Sequence, residues 1–173
     1  MTLLGRVGPL SHCRHLAYAY LGFLTAGRVS TYPSRIHLQT QTRCNASCAI
    51  CPYPQVSQEW DHGMMSRGLF ETIVGELAMA APGTTLMVDL QNEPLLNPDI
   101  LNWLTYAKNN APRVRRVLTT NGALLHRFKA ADVEAADLAL LAVSLNAHTR
   151  TTYERINCGL DFDQVVSNIL RLA

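Results

Sequence analysis

Four times after Ile36, a short run of strand-forming residues gives way to a stretch with helical periodicity, and this alternation restricts the chain to a parallel α/β fold. The first strand is expected over Ile36–Gln41. Leu69, Phe70, Ile73, Val74 and Leu77 then recur at helical spacing behind Ser66, a good N-cap, and Pro82-Gly83 ends that helix. Leu86–Leu90 reads as a second strand. Asn97-Pro98 then combines a capping side chain with a proline for the first turn, and Ile100, Leu101, Leu104 and Ala107 give the helix its apolar face. Val114–Thr119 is a third strand, closed by the turn pair Asn121-Gly122, with a helix somewhere within Leu124–Ala136. Leu138–Leu145 is nearly all apolar, as in a strand covered on both faces. Phe162, Val165, Val166, Ile169 and Leu170 then follow the i, i+3, i+4, i+7, i+8 pattern of an amphipathic helix. Right-handed crossovers in such a fold put every strand's C-terminal end on one face. The polar clusters fall there: the cysteine loop, Gln91-Asn92-Glu93-Pro94, Thr119-Thr120-Asn121-Gly122 and Ser144-Leu145-Asn146.

The 173 residues are 48% apolar and 16% charged with a net charge of +2, which fits a globular chain and offers no basic stretch for nucleic acid. The apolar run Leu16–Ala26 follows Arg6 and Arg14 as in a secretory signal. It is too short to span a bilayer, and Gly27-Arg28-Val29 is a poor cleavage site. Residues 1–33 are therefore expected to form an N-terminal helical extension, residues 34–173 the α/β core, and the protein to be cytoplasmic with no membrane partner.

Three of the five cysteines, Cys44, Cys48 and Cys51, lie within one short loop, which suits metal ligation in a reducing compartment better than a disulfide framework. Thiolates favour iron–sulfur clusters and zinc. A Cys-x3-Cys-x2-Cys loop can hold three corners of a cubane and leave one iron open. The alternatives are a zinc site completed by His37 or His62, and three buried thiols without a ligand. His12-Cys13-Arg14-His15 lacks a second half-site and reads as accidental, Cys158 as an ordinary thiol, and Arg155 as a helix-surface charge.

Arg43-Cys44-Asn45-Ala46-Ser47-Cys48-Ala49-Ile50-Cys51-Pro52 resembles the signature loop of the radical S-adenosylmethionine (radical SAM) superfamily. Gly63-Met64-Met65-Ser66 and Glu93-Pro94-Leu95-Leu96-Asn97-Pro98-Asp99-Ile100 resemble the subgroup that often carries a SPASM extension. Thr120-Asn121-Gly122 and Val143-Ser144-Leu145-Asn146 are similar to its third and fourth strand ends. The resemblance implies a partial (β/α)6 TIM-like barrel of about four strand–helix units. It implies a 4Fe-4S cluster on Cys44, Cys48 and Cys51, and S-adenosylmethionine against Asn92, Glu93, Pro94, Asn121, Ser144 and Asn146. Family members cleave that cofactor to a 5′-deoxyadenosyl radical, which takes a hydrogen atom from substrate. Here Gln91 and Asn92 replace the usual glycines, Asn146 stands where an acid is common, and Ile50 stands where a bulky group meets adenine. The implied partners are an electron donor such as flavodoxin or ferredoxin and a substrate, a peptide first and a small molecule second. Family barrels have six units, so a missing C-terminal half is expected, and with it the alternative of a non-catalytic remnant or partner subunit that only binds the cluster.

Overall fold

A sheet of four strands, parallel throughout and ordered β1-β2-β3-β4, carries the fold: β1 Arg35–His37, β2 Thr85–Val88, β3 Arg115–Thr120 and β4 Leu140–Val143. The computed structural model describes residues 32–172 together with Tyr20, Leu21 and Leu24, so most of the expected N-terminal extension and the His12–His15 segment lie outside the described residues. Within residues 32–172 six α-helices accompany the strands: α1 Tyr53–Val56, α2 Arg67–Ala80, α3 Ile100–Asn110, α4 Ala130–Ala135, α5 Arg150–Ile156 and α6 Phe162–Leu172.

Strand alternation sets the two faces of the sheet. Leu86 and Val88 of β2 and Leu118 of β3 are buried against Phe70, Val74, Ile100 and Leu104 of α2 and α3. The opposite face carries Arg35, His37, Met87, Asp89 and Thr119. A second, smaller core joins Ala46 of the cysteine loop to Ala123, Tyr153, Leu160 and Val165, so the loop is packed as part of the protein interior.

Ser66 caps α2 as expected, its Oγ accepting from the Leu69 amide at 3.2 Å. The start of α3 differs. Asn97 folds an Asx turn, its Oδ1 accepting from the Asp99 amide at 3.0 Å, and the helix begins only at Ile100. The expected third helix divides into a 3-10 turn at Leu125–Arg127 and α4. β1 stops at His37 because Thr40 and Gln41 turn away to meet Met64 and Met65. β4 is not covered on both faces: it is the sheet's last strand, and Leu140 is 54% exposed. Neither α1 nor α5 follows from the apolar spacing. α1 has no buried residue and α5 buries Tyr153 alone, so neither leaves an apolar stripe to read.

The expected Asn121-Gly122 turn is present and steric. Gly122 has φ +81°, and a Cβ there would sit 2.8 Å from Val143 Cγ1 and 3.1 Å from Val165 Cγ1. Gly122→Ala combines a left-handed backbone with overpacking, so it should destabilise the chain by about 2–4 kcal/mol in urea denaturation.

Candidate functional site

At the C-terminal ends of the strands lies a cavity of about 360 Å³, lined by Cys44, Cys48 and Cys51, by 89–93 after β2, by 119–121 on β3, and by Ser144, Asn146 and Asn157. That volume suits a small molecule or cofactor. Four segments far apart in sequence meet there because the sheet is parallel and its register brings the strand ends level.

Backbone bonds fix the cysteine loop from several sides. The Cys44 amide donates to the Tyr53 hydroxyl at 2.9 Å, the Ser47 amide to the Cys158 carbonyl at 2.9 Å, and the Ala49 amide to the Ile156 carbonyl at 2.8 Å. The Cys51 amide closes the loop on the Cys48 carbonyl at 3.1 Å, and the Tyr53 amide donates to Cys51 Sγ at 3.4 Å. Burial pushes the Cys44 thiol up to about 11, with Glu93 and the other two cysteines adding to the effect, and burial also raises Cys48. Without a cation between them these thiols keep their protons at neutral pH, so metal uptake would release protons.

Glu93 is almost wholly buried and fully engaged. Its Oε1 accepts from Thr120 Oγ1 at 2.6 Å and the Leu95 amide at 3.0 Å, and its Oε2 from the Asn121 amide at 2.8 Å. The Glu93 amide donates to the Arg43 carbonyl at 2.9 Å, and Gln41 Nε2 bridges the Glu93 and Arg43 carbonyls. One side chain thus joins the β2 end to the β3 end, while its backbone holds the start of the cysteine loop. Burial pushes the carboxyl above its usual range although these three donors pull it down.

Asn92 lines the cavity, and both atoms of its side-chain amide are buried with no partner. Such orphaned polar atoms are expensive unless a ligand meets them. Asn121 serves the turn and the wall together: its Oδ1 accepts from the Ala123 amide at 3.0 Å, and its Nδ2 donates to Asn45 Oδ1 of the cysteine loop at 2.8 Å. Asn146 Nδ2 donates to Asn157 Oδ1 at 2.7 Å, and Cys48 Sγ lies 3.7 Å from the same oxygen. Pro94 does not line the cavity; it is buried at the start of a 3-10 turn, Pro94–Leu96. Ile50 is at the cavity rim, 66% exposed.

Two wall residues escaped the sequence reading: Asn157 sits at the end of the unforeseen α5, and Asp89 looked like an ordinary strand position, whereas Thr119 belongs to a polar cluster already expected on this face. The polar Asp89 inside an apolar strand was the one available signal.

The donor set fits a cluster. Among the described residues, no three His, Cys, Asp or Glu side chains are placed to bind one metal ion together. A cubane asks for less convergence, because each thiolate binds a different iron. His37 pairs with Asp89, and His62 lies in a separate cavity with Gln41 and Arg43, so neither joins the cysteines as a zinc ligand. Cys158, whose thiol donates to the Arg155 carbonyl at 3.3 Å, does not line the cavity. Among the described residues no helix is long and apolar enough to cross a membrane.

Residues 38–173 match the family described as the Radical SAM superfamily. The chain is 28% identical over 148 residues to a GTP 3′,8-cyclase of Paenarthrobacter nicotinovorans, covering 83% of this chain and 41% of that protein. It is 24% identical over 137 residues to an S-adenosyl-L-methionine-dependent 2-deoxy-scyllo-inosamine dehydrogenase of Niallia circulans, covering 77% and 54%. The chain thus spans about half the length of the curated relatives it matches. Among solved structures it resembles native anSMEcpe with bound AdoMet and Cp18Cys peptide, with a TM-score of 0.62, 19% identity and coverage of 82% of this chain and 40% of that one. BtrN in complex with AdoMet and 2-DOIA gives a TM-score of 0.59 at 19% identity, covering 80% and 56%. These two likenesses establish a shared fold.

Truncating Glu93 to alanine would strand three donors, two of them buried, so Glu93→Ala should cost about 3 kcal/mol or more in urea denaturation of the metal-free chain. A carboxyl raised in the folded state keeps its proton longer than in the unfolded chain. Its contribution to stability is therefore full below the ordinary carboxylate range and falls as pH rises through the raised value. Relative to the wild type, Glu93→Gln should gain stability as pH rises through that window.

Proposed function

The chain belongs to the radical SAM superfamily, and from that premise we propose that Cys44, Cys48 and Cys51 hold a 4Fe-4S cluster in the strand-end cavity with S-adenosylmethionine bound beside it. The observation that carries this reading is the cavity lining: three free thiols and a partnerless buried amide in one space of cofactor size. When bound, the pair would supply a 5′-deoxyadenosyl radical that takes a hydrogen atom from a substrate.

The chain's own residues would bind and orient. The Tyr53 amide, donating to Cys51 Sγ, helps to fix where that sulfur sits. Asn92 offers one donor and one acceptor without breaking any bond of the fold. Ser144 and Asn146 present a hydroxyl and an amide from the end of β4, and Asn121 an amide from the end of β3. Glu93 acts chiefly as a positioning residue, since its oxygens already hold Thr120, Leu95 and Asn121, although its charge would also favour a cofactor ammonium. Pro94 fixes the turn behind Glu93. Residues 34–173 are read as the catalytic core and residues 1–33 as a separate extension.

A peptide is the first candidate substrate and a small molecule the second, with reduction by a flavodoxin- or ferredoxin-type donor. A second reading, a cluster-binding partner subunit without turnover of its own, is favoured by the exposed Leu140 on β4, the sheet's last strand, which leaves apolar surface for another chain to cover. Orientation and water exclusion contribute heavily to such chemistry.

Anaerobic reconstitution should load about four irons per chain with broad brown absorbance. Replacing Cys44, Cys48 and Cys51 together with alanine should abolish both, and Cys158→Ser should change neither. Stoichiometric zinc with no iron uptake would overturn the reading. Reductant-dependent 5′-deoxyadenosine from the loaded chain separates the enzyme from the partner subunit, which would form none.

A further inference from the structure

Beside the cavity, three side chains from three strands form a polar chain that the cofactor reading leaves unused. His37 Nδ1 lies 2.6 Å from Asp89 Oδ1, and Thr119 Oγ1 donates to Asp89 Oδ2 at 2.8 Å. Register explains the meeting. His37 pairs with Met87 and Val88 with Leu118, so His37, Asp89 and Thr119 project from the sheet face opposite the helical core. Asp89 and Thr119 line the cavity, one to four residues closer to the strand N-termini than Thr120, Asn92 and Glu93.

The chemistry of the pair decides what it can recognise. A carboxylate only accepts, so the 2.6 Å bond requires the proton on His37 Nδ1. Thr119 occupies the second carboxylate oxygen and holds Asp89 in place. In the neutral ring the other nitrogen, Nε2, carries the lone pair, and it makes no hydrogen bond among the described residues. The His37 side chain is 46% exposed while Asp89 is only 16% exposed, so the anchor is shielded and the acceptor is open. An outward histidine held by an inward acid and threonine is a built acceptor, costly to order unless something uses it.

We propose that His37, oriented by Asp89 and Thr119, is a substrate-recognition residue whose Nε2 accepts a hydrogen bond from a hydroxyl or ammonium group of a substrate that reaches the sheet face beside the cavity. The assignment rests on the radical SAM reading only in naming the bound molecule a substrate. The residues proposed for the cofactor occupy the strand ends above, and the half-exposed His37 on the sheet face below is where a second molecule can approach.

The test uses the full metal-free chain and nitrogen-detected NMR of the His37 ring at pH 7.5. The expected state is a protonated Nδ1 and an unprotonated Nε2, and Asp89→Asn should lose that preference. Two probes separate the possible sources of the donor: a capped Ala-Ser-Ala peptide and myo-inositol, each beside its O-methylated counterpart. At least one free-hydroxyl probe should shift Nε2, its methylated partner should not, and Asp89→Asn should weaken that binding at least about tenfold. A protonated Nε2, or Nε2 shifts that are absent or equal for the free and methylated probes, overturns the proposal. Iron plays no part in these measurements. A chain that fails to load a cluster therefore speaks only against the cofactor reading, and a silent His37 in a chain that loads one speaks only against this inference.

Discussion

The buried carboxylate of Glu93 is the joint on which the strand-end face depends. Its two oxygens gather Thr120 and Asn121 from β3 and Leu95 from its own turn, while its amide holds Arg43, one residue before the first cysteine. A buried charge is tolerable only when its hydrogen-bonding capacity is filled, and here strong donors fill it. The carboxylate ties the β2 end to the β3 end and the backbone amide adds the cysteine loop, so one residue fixes the relative placement of three segments.

The cysteine loop is held as firmly from its other side. Ala46 is buried in the small core with Tyr153 and Val165, and the loop amides of Ser47 and Ala49 bond to carbonyls at the end of α5. Gly159, with φ +90°, makes the turn that brings this segment against Asn45 and Ala46. Thiols fixed in this way are pre-positioned, and burial pushes those of Cys44 and Cys48 up from their usual range. Tyr153 completes the picture: burial, aided by Cys48, pushes its hydroxyl up to about 12.

The cavity wall has two parts. One consists of strand-end loops with side-chain amides, a serine and thiols. The other is Asp89 and Thr119 on the sheet face, which tie the cavity to His37 beside it. Loops and inward strand positions of a parallel sheet vary independently, so different stretches of sequence build the two parts.

The sequence by itself determined the strand–helix order, the Ser66 cap, the Asn121-Gly122 turn and the grouping of three thiols, because each is a local property of adjacent residues or of a simple period. Covalent spacing alone keeps Cys44, Cys48 and Cys51 together. Only the tertiary structure decided that Glu93 spends both oxygens on the fold, that Asn92 has none of its amide bonds met, and that Asn157 joins the wall. It also decided that His37 meets Asp89 across 52 positions of sequence, and that the apolar run of β4 leaves Leu140 exposed. The physical reason is common to all of these. Periodicity reports which residues leave water, whereas partnership in a hydrogen bond depends on strand register and on loops that no local pattern encodes.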